Sequence, residues 1–384
     1  MLFAEGGGGR PGDTDTTSIA GLDVTTFQRM GRLSGLVPLV GIASGRCFAG
    51  NAALLGCCDV VIATPDASIG MGGPAMIEGG GLGVYRPEEV GPLTVQVPNG
   101  VVDLAVSDEA EAVRVARQYL SYFQGTQGSW EAPDQRLLRQ VVPENRRRAY
   151  DMRTAVETLA DRGSVLELRQ AFGTGVLTCL IRIEGRPLGL IASNPAHLGG
   201  AVDRDAADKT ARFLQLCDAF GLPVVSLCDT PGFMVGPDAE RTATVRHFAR
   251  LFVTGANLRV PLVGLVLRKA YGLGAMAMLG GSTRAPLATA AWPSGEFGGM
   301  GLEGAVRLGY RKELAAIIDP EERERAFEAR VAELYEHGKA VNAAAALEID
   351  AVIDPAESRV WILAALDDGP DLPEERGRSF IDTW

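Results

Sequence analysis

Short apolar runs closed by glycine recur along the chain and alternate with stretches of small apolar residues suited to a closely packed helix. Residues 37–43 predict a buried strand and Cys47-Phe48-Ala49-Gly50 a turn. Residues 51–58 then predict a small-residue helix and 60–64 a second strand, with a glycine loop after it. The same succession returns at 260–267, at Ala270-Tyr271-Gly272-Leu273-Gly274, at 274–281 and at 287–291. Strand, turn, helix, strand with apolar strands predicts α/β architecture. Between the two units, residues 127–150 are polar and carry Pro133, Pro143 and Arg146-Arg147-Arg148, which predicts a linker. Beyond it come a strand pair at 176–183 and 187–193, a helix at 208–220 and a strand reaching Cys228-Asp229. Residues 320–348, rich in Ala, Glu, Arg and Leu, predict an amphipathic helical end for packing or oligomer contact.

The two units are copies of one pattern. Val37-Pro38-Leu39-Val40-Gly41 recurs 223 residues later as Val260-Pro261-Leu262-Val263-Gly264. Within a few residues of that offset, Leu2-Phe3-Ala4-Glu5 falls on Ser226-Leu227-Cys228-Asp229. Likewise Ile69-Gly70-Met71-Gly72-Gly73 falls near Phe297-Gly298-Gly299-Met300-Gly301. Four matches in one order are hard to assign to chance. The second copy carries a strand pair and a helix ahead of its Cys228-Asp229 strand. The first opens almost at the equivalent strand, so its front half is expected to be missing, leaving a fragment or a domain completed by something else.

Composition narrows the chemistry. Of 384 residues, 46% are apolar and only 6% aromatic, and 48 are glycine, well above the usual share of about 7%. A net charge of −11 argues against a general nucleic-acid binder. Six cysteines in apolar surroundings, with no CxxC pair, predict reduced core thiols. His197, His247 and His337 are far apart and no GxSxG is present, which disfavours a zinc hydrolase and a serine hydrolase of the elbow type. The run Glu5-Gly6-Gly7-Gly8-Gly9-Arg10 lacks the Gly-Lys-Ser/Thr of a nucleotide loop. No membrane-length apolar run and no signal pattern is seen, so a soluble cytoplasmic protein is expected.

The two glycine turns are the candidate chemistry. The first N–H groups of a helix lack an internal partner, and small residues let a carbonyl oxygen approach them. Such a turn is either an oxyanion hole or simply close strand–helix packing. A duplicated turn would suit two thioester-like or urea-like carbonyls at one site. Arg46 and Arg268-Lys269 beside the turns either snorkel or meet an anionic ligand. Arg146-Arg147-Arg148 reads as a solvated face or a phosphate clamp, and Asp229-Thr230-Pro231-Gly232 as turn chemistry. Met71, Met76, Met276 and Met278 suit a core or an apolar channel wall.

At these residues the sequence resembles the carboxyltransferase component of biotin-dependent acyl-CoA carboxylases, a family of duplicated crotonase-like (ClpP/crotonase) domains. The matching pieces include Glu5-Gly6-Gly7-Gly8-Gly9-Arg10, Gly45-Arg46-Cys47-Phe48-Ala49-Gly50, Tyr150-Asp151-Met152-Arg153, Asp229-Thr230-Pro231-Gly232-Phe233, Arg268-Lys269-Ala270-Tyr271-Gly272 and Trp292-Pro293-Ser294-Gly295-Glu296. They run through nearly the whole chain, with a flavour closest to large fused actinobacterial-type enzymes. The resemblance implies an N-terminal crotonase-like domain at 1–145, short of its front half, and a C-terminal one at 146–384. It implies transfer of CO2 from carboxybiotin to the α carbon of an acyl-CoA, with biotin serving as base. Ala49 and Gly50 would supply one backbone oxyanion hole, Leu273 and Gly274 the other. Gly7, Gly8, Arg10, Tyr271, Gly272 and Met276 would line the cofactor and acyl-CoA sites, and no metal is implied. Met276 stands where relatives handling small acyl groups often have Asp, which implies a bulkier or apolar acyl chain. With no Ala-Met-Lys-Met motif, the biotin carrier and biotin carboxylase would be other domains or subunits, and a hexamer with sites between subunits is implied. Two other readings remain open: a biotin-independent crotonase-like decarboxylase or hydrolase, and a non-catalytic truncated paralogue that assembles with a full subunit.

Overall fold

The computed structural model describes residues 1–8, 22–369 and 379–384. Its strands run, in chain order, β1 (Leu2–Phe3), β2 (Val40–Ala43), β3 (Arg46–Phe48), β4 (Val60–Ala63), β5 (Ser68–Gly70), β6 (Leu104–Ala105) and β7 (Leu166–Leu168). There follow β8 (Val176–Ile183), β9 (Arg186–Ser193), β10 (Val224–Thr230), β11 (Leu262–Tyr271), β12 (Ala288–Ala291), β13 (Glu296–Gly298) and β14 (Ala351–Val352). A four-stranded parallel sheet has the order β1-β2-β4-β6. A larger sheet has the order β14-β12-β11-β10-β9-β8-β7, with β13 branching from β11. Its β7-β8-β9 part is antiparallel and the rest parallel. Strands buried on both faces need the aliphatic runs seen in the sequence.

The repeat is written into the pairing. Leu2 faces Gly41 and Phe3 faces Ile42, and in the second copy Ser226 faces Gly264 and Leu227 faces Leu265. Val40 pairs with Val60 as Val263 pairs with Ala288. Arg46 pairs with Ser68 as Lys269 pairs with Glu296. Among the described residues, β1 in the small sheet has a neighbour on one side only, whereas its counterpart β10 lies between β9 and β11.

The long helix Arg204–Phe220 is capped by Asp203, which accepts from the Ala206 N–H, and ends at Gly221 with φ 72°. Twelve of its residues are buried. It covers the large sheet and reaches the small one, where Arg212 donates to the Asp59 carbonyl at 2.6 Å. One apolar cluster therefore mixes Val40, Ile42, Val60 and Ile62 with Phe213, Leu214, Val224 and Val266.

The segment 127–150 is more tightly held than a linker. Gln127 N–H donates to Gly185 at 3.0 Å, Leu138 and Val141 are buried, and Arg139 pairs with Asp354 at 2.6 Å. The helical end is two helices, Pro320–His337 and Ala340–Ala345, because Gly338 breaks off to accept from Phe297 N–H in β13 at 2.7 Å. Among the described residues no helix is long and apolar enough to cross a membrane. Cys47, Cys58, Cys179, Cys217 and Cys228 are buried free thiols and Cys57 is half-buried.

Candidate active site: two strand-to-helix turns

The first turn is built by β3 and held on both sides. Gly6 donates to the Arg46 carbonyl at 2.7 Å and accepts from Phe48 N–H at 3.0 Å, while β5 pairs along the other edge. The chain then kinks at Ala49, with φ 55° and ψ −122°, a conformation L residues rarely adopt, and enters the helix Gly50–Gly56. Gly7 and Gly8 lie against this kink. A Cβ on Gly8 would sit 3.4 Å from Ala49 Cβ, and a Cβ on Gly73 would sit 2.9 Å from the Gly7 carbonyl. Arg10 lies outside the described residues, as does Gly9.

Ala49 does not offer the expected donor. Its N–H already bonds the Gly70 carbonyl at 3.1 Å, extending the β3-β5 ladder by one residue. Ala49 instead supplies the kink. The amides left at the helix start are those of Gly50, Asn51 and Ala52, since the first helical bond runs from Ala53 to the Ala49 carbonyl.

The second turn repeats this geometry. Tyr271 ends β11, Gly272 kinks with φ 57°, and the helix Gly272–Met278 begins. The shared strand register sets Gly272 opposite Ala49 in the repeat, Leu273 opposite Gly50 and Gly274 opposite Asn51. Glycine is required here: a Cβ on Gly272 would lie 2.9 Å from the Gly299 carbonyl, and one on Gly274 would lie 2.7 Å from Gly232 Cα. Pro231-Gly232 thus walls the second turn as Gly7-Gly8 walls the first. Leu273 is exposed and Gly274 is buried.

A cavity of about 620 Å³ opens beside the second turn. Ala270, Gly272 and Met276 line one side and Phe297 and Gly298 another, with His337 and Asn342 on the helical floor. That floor was not foreseen: nothing in the amphipathic pattern of 320–348 says which of its residues meets β13. No residue of the first turn lines this cavity.

Behind the turn, charge is buried and paired. Arg268 bonds Asp229 at 2.9 Å and donates to the carbonyls of Arg146 and Arg148 at 3.0 and 2.8 Å. Asp229 also accepts from Lys269 N–H at 3.1 Å, so the Asp229-Thr230-Pro231-Gly232 segment is anchored by more than turn chemistry. Lys269 Nζ donates to the Gly199 carbonyl at 2.8 Å, and burial lowers its pKa despite Asp229 at 4.0 Å. Arg146, half-buried, pairs with Glu303 at 2.7 Å and Arg147 with the same carboxylate at 3.2 Å, while Arg147 and Arg148 are exposed, as a solvated face would be. Arg46 is exposed, 3.5 Å from Glu88. Among the described residues no group of three His, Cys, Asp or Glu side chains could hold a metal ion.

Comparison with known proteins bears on the whole chain. The family model described as the carboxyl transferase domain matches residues 7–368. The methylmalonyl-CoA carboxyltransferase 12S subunit of Propionibacterium freudenreichii subsp. shermanii is 32% identical over 380 residues, covering 96% of this chain and 71% of that protein. The biotin-dependent acetyl-/propionyl-coenzyme A carboxylase beta6 subunit of Mycobacterium tuberculosis is 34% identical over 359 residues, 92% of this chain and 75% of its own length. Among solved structures, a single-chain, multi-domain long-chain acyl-CoA carboxylase superposes with a TM-score of 0.89 at 64% identity. It covers 95% of this chain, which spans only 36% of that one. The transcarboxylase 12S hexamer, with methylmalonyl-CoA and methylmalonic acid bound, gives a TM-score of 0.80 at 30% identity, with 93% of this chain and 70% of that chain covered.

Proposed function

The chain belongs to the carboxyl transferase domain family, and from that premise we propose that it transfers a carboxyl group from carboxybiotin to the α carbon of an acyl-CoA. The observation that supports this most is the same kinked strand-to-helix turn built twice by the same pairing. Each turn offers backbone amides at the start of its helix, among them those of Gly50 and Asn51 in the first and of Leu273 and Gly274 in the second. Amides fixed in advance stabilise a developing oxyanion without reorganising, and one such donor is commonly worth about 10² to 10³ in rate. One turn would steady the thioester oxygen of the acyl-CoA and the other the ureido oxygen of biotin.

Carboxybiotin, when bound, would supply the CO2, and the biotin anion left on its release would take the α-proton. A flat ureido ring suits the second turn, where Gly272 leaves no room for a Cβ and the cavity wall next to it is made by the small Ala270 and Ala275. Met276 at that wall, half-exposed and uncharged, suits an apolar acyl chain better than a short polar one. The 64% identity to a long-chain acyl-CoA carboxylase supports a long-chain substrate. The carrier and biotin carboxylase would come from other domains or subunits. In an assembly like the transcarboxylase 12S hexamer, the first turn of one copy would complete the site at the second turn of another, consistent with a cavity lined by one turn alone.

The test is CO2 release from malonyl-type CoA thioesters of increasing chain length, with and without free biotin. Release only with biotin, rising with chain length, is the expected result. Release without biotin would favour a crotonase-like decarboxylase, and none from a folded protein would favour an assembly role.

A further inference from the structure

Where the first copy has Phe48 and Ser68, the second has Tyr271 and Glu296 at the same places in the paired strands. Both changes put polar groups into the interior behind the second turn. Glu296 is 1% exposed and neither carboxyl oxygen has a hydrogen-bond donor other than the Tyr271 hydroxyl, which is also buried and has no other partner. The nearest cation, Arg146, stands 3.7 Å from Glu296 Oε1 with its shorter contact given to Glu303. Arg268, Lys269 and Asp229 complete the charged surroundings, and Arg268 is already satisfied by Asp229 and two carbonyls. Burial, more than any neighbour, raises the pKa of Glu296 and carries that of Tyr271 well above the usual phenol range, which favours protonated forms of both. Each is the other's hydrogen-bonding neighbour, and neither is hydrogen-bonded to any other group.

The pair sits at a place where position matters. Tyr271 is the last residue before the Gly272 kink, so anchoring its ring anchors the start of the helix. Glu296 lies on β13, whose next residues, Phe297 and Gly298, line the cavity on the opposite side. Glu296 itself lines a separate cavity of about 590 Å³ behind the sheet, with Trp292, Arg268 and Tyr335. We propose that Glu296 is a positioning residue of the second turn: its carboxyl group and the Tyr271 hydroxyl hold the Leu273 and Gly274 amides in line, a support the first turn does not have. This rests on the carboxyl-transfer reading for its effect on rate but not for its effect on the turn.

Four variants test it: Glu296→Ala, Glu296→Gln, Tyr271→Phe and the double Glu296→Ala/Tyr271→Phe. The first readout is amide hydrogen exchange of the peptide spanning 270–276, which needs no turnover. Glu296→Ala and Tyr271→Phe should each speed it by about tenfold, and Glu296→Gln, whose carbonyl can still accept from the phenol, should not. The second is biotin-dependent CO2 release. The same two variants should lower kcat by about tenfold with KM for the thioester within about twofold, and the double variant should fall no further. Unchanged exchange in Tyr271→Phe, or single effects that multiply in the double variant, would overturn the proposal. If Glu296→Ala does not fold, Tyr271→Phe, which removes one oxygen, decides alone. If the parent protein releases no CO2, the carboxyl-transfer reading fails while the exchange data still judge the turn.

Discussion

Ala49 and Gly272 share a positive φ, 55° and 57°, but only one of them is a glycine. A left-handed φ costs an alanine of order 1 kcal/mol, which glycine avoids. Ala49→Gly should therefore raise stability by about 0.5–1 kcal/mol in chemical denaturation, with CO2 release preserved. Gly272→Ala should do the reverse, since its Cβ would meet the Gly299 carbonyl at 2.9 Å. A loss of at least about 1–2 kcal/mol and about 10² in turnover is expected, and an active, stable Gly272→Ala would count against the second turn as a site. Both turns were legible in the sequence to within two residues: Cys47-Phe48 and Ala270-Tyr271, expected as turn, extend β3 and β11 up to the kink. The state of the Ala49 amide was not. It depends on where Gly70 ends its ladder, which no local pattern records.

At the scale of elements, the apolar runs at 176–183 and 187–193 became strands within one residue of their expected bounds. Those at 37–43 and 260–267 are shifted by three to four residues at one end, to Val40–Ala43 and Leu262–Tyr271, because a continuous apolar run carries no period that marks where pairing begins or stops. The helix Arg204–Phe220 was foreseen only from Asp208 onward; its cap at Asp203 and its first turn were hidden because Arg204 and Asp205 are polar and stay partly or fully exposed, and only Ala206 and Ala207 of that turn are buried. Lys209 is the instructive residue of the second turn. It is 2% exposed, its amine has no hydrogen-bond partner, and burial lowers its pKa to about 8. In the unfolded chain a lysine titrates near about 10.4. The folded state therefore binds fewer protons between these values, so stability should rise with pH from about 8 to about 10.4, and the deficit is complete below that window. Lys209→Met should remove the rise and add about 2–3 kcal/mol at pH 7. Urea titrations at pH 7 and pH 9.5 check this; an equal gain at both would mean that packing, not charge, is responsible.

For the whole molecule, the two copies share a core and are cross-linked by buried charge. Asp103 accepts from Val61 N–H at 2.7 Å in the first copy and pairs with Arg169 at 2.9 Å in the second. Arg169 also reaches the end of the described chain through the Thr383 carbonyl and the Trp384 ring. Asp103→Ala would strand a buried guanidinium, at a cost of about 3–5 kcal/mol. Calorimetry should then show one transition moved downward as a unit, with the calorimetric and van't Hoff enthalpies equal; two separated transitions would mean independent halves. The repeat in the sequence suggests two modules, but says nothing about the face on which they merge, because Arg212 carries no mark that its partner, the Asp59 carbonyl, lies 153 residues away. That merged face has a consequence for anyone who would split the gene. Polypeptides ending and beginning within 127–150 would each expose half of a common interior, so they should be insoluble when made singly and recover shape and function only when produced together. The junction that looks like the natural place to separate two tools is where a two-piece complementation assay would be built.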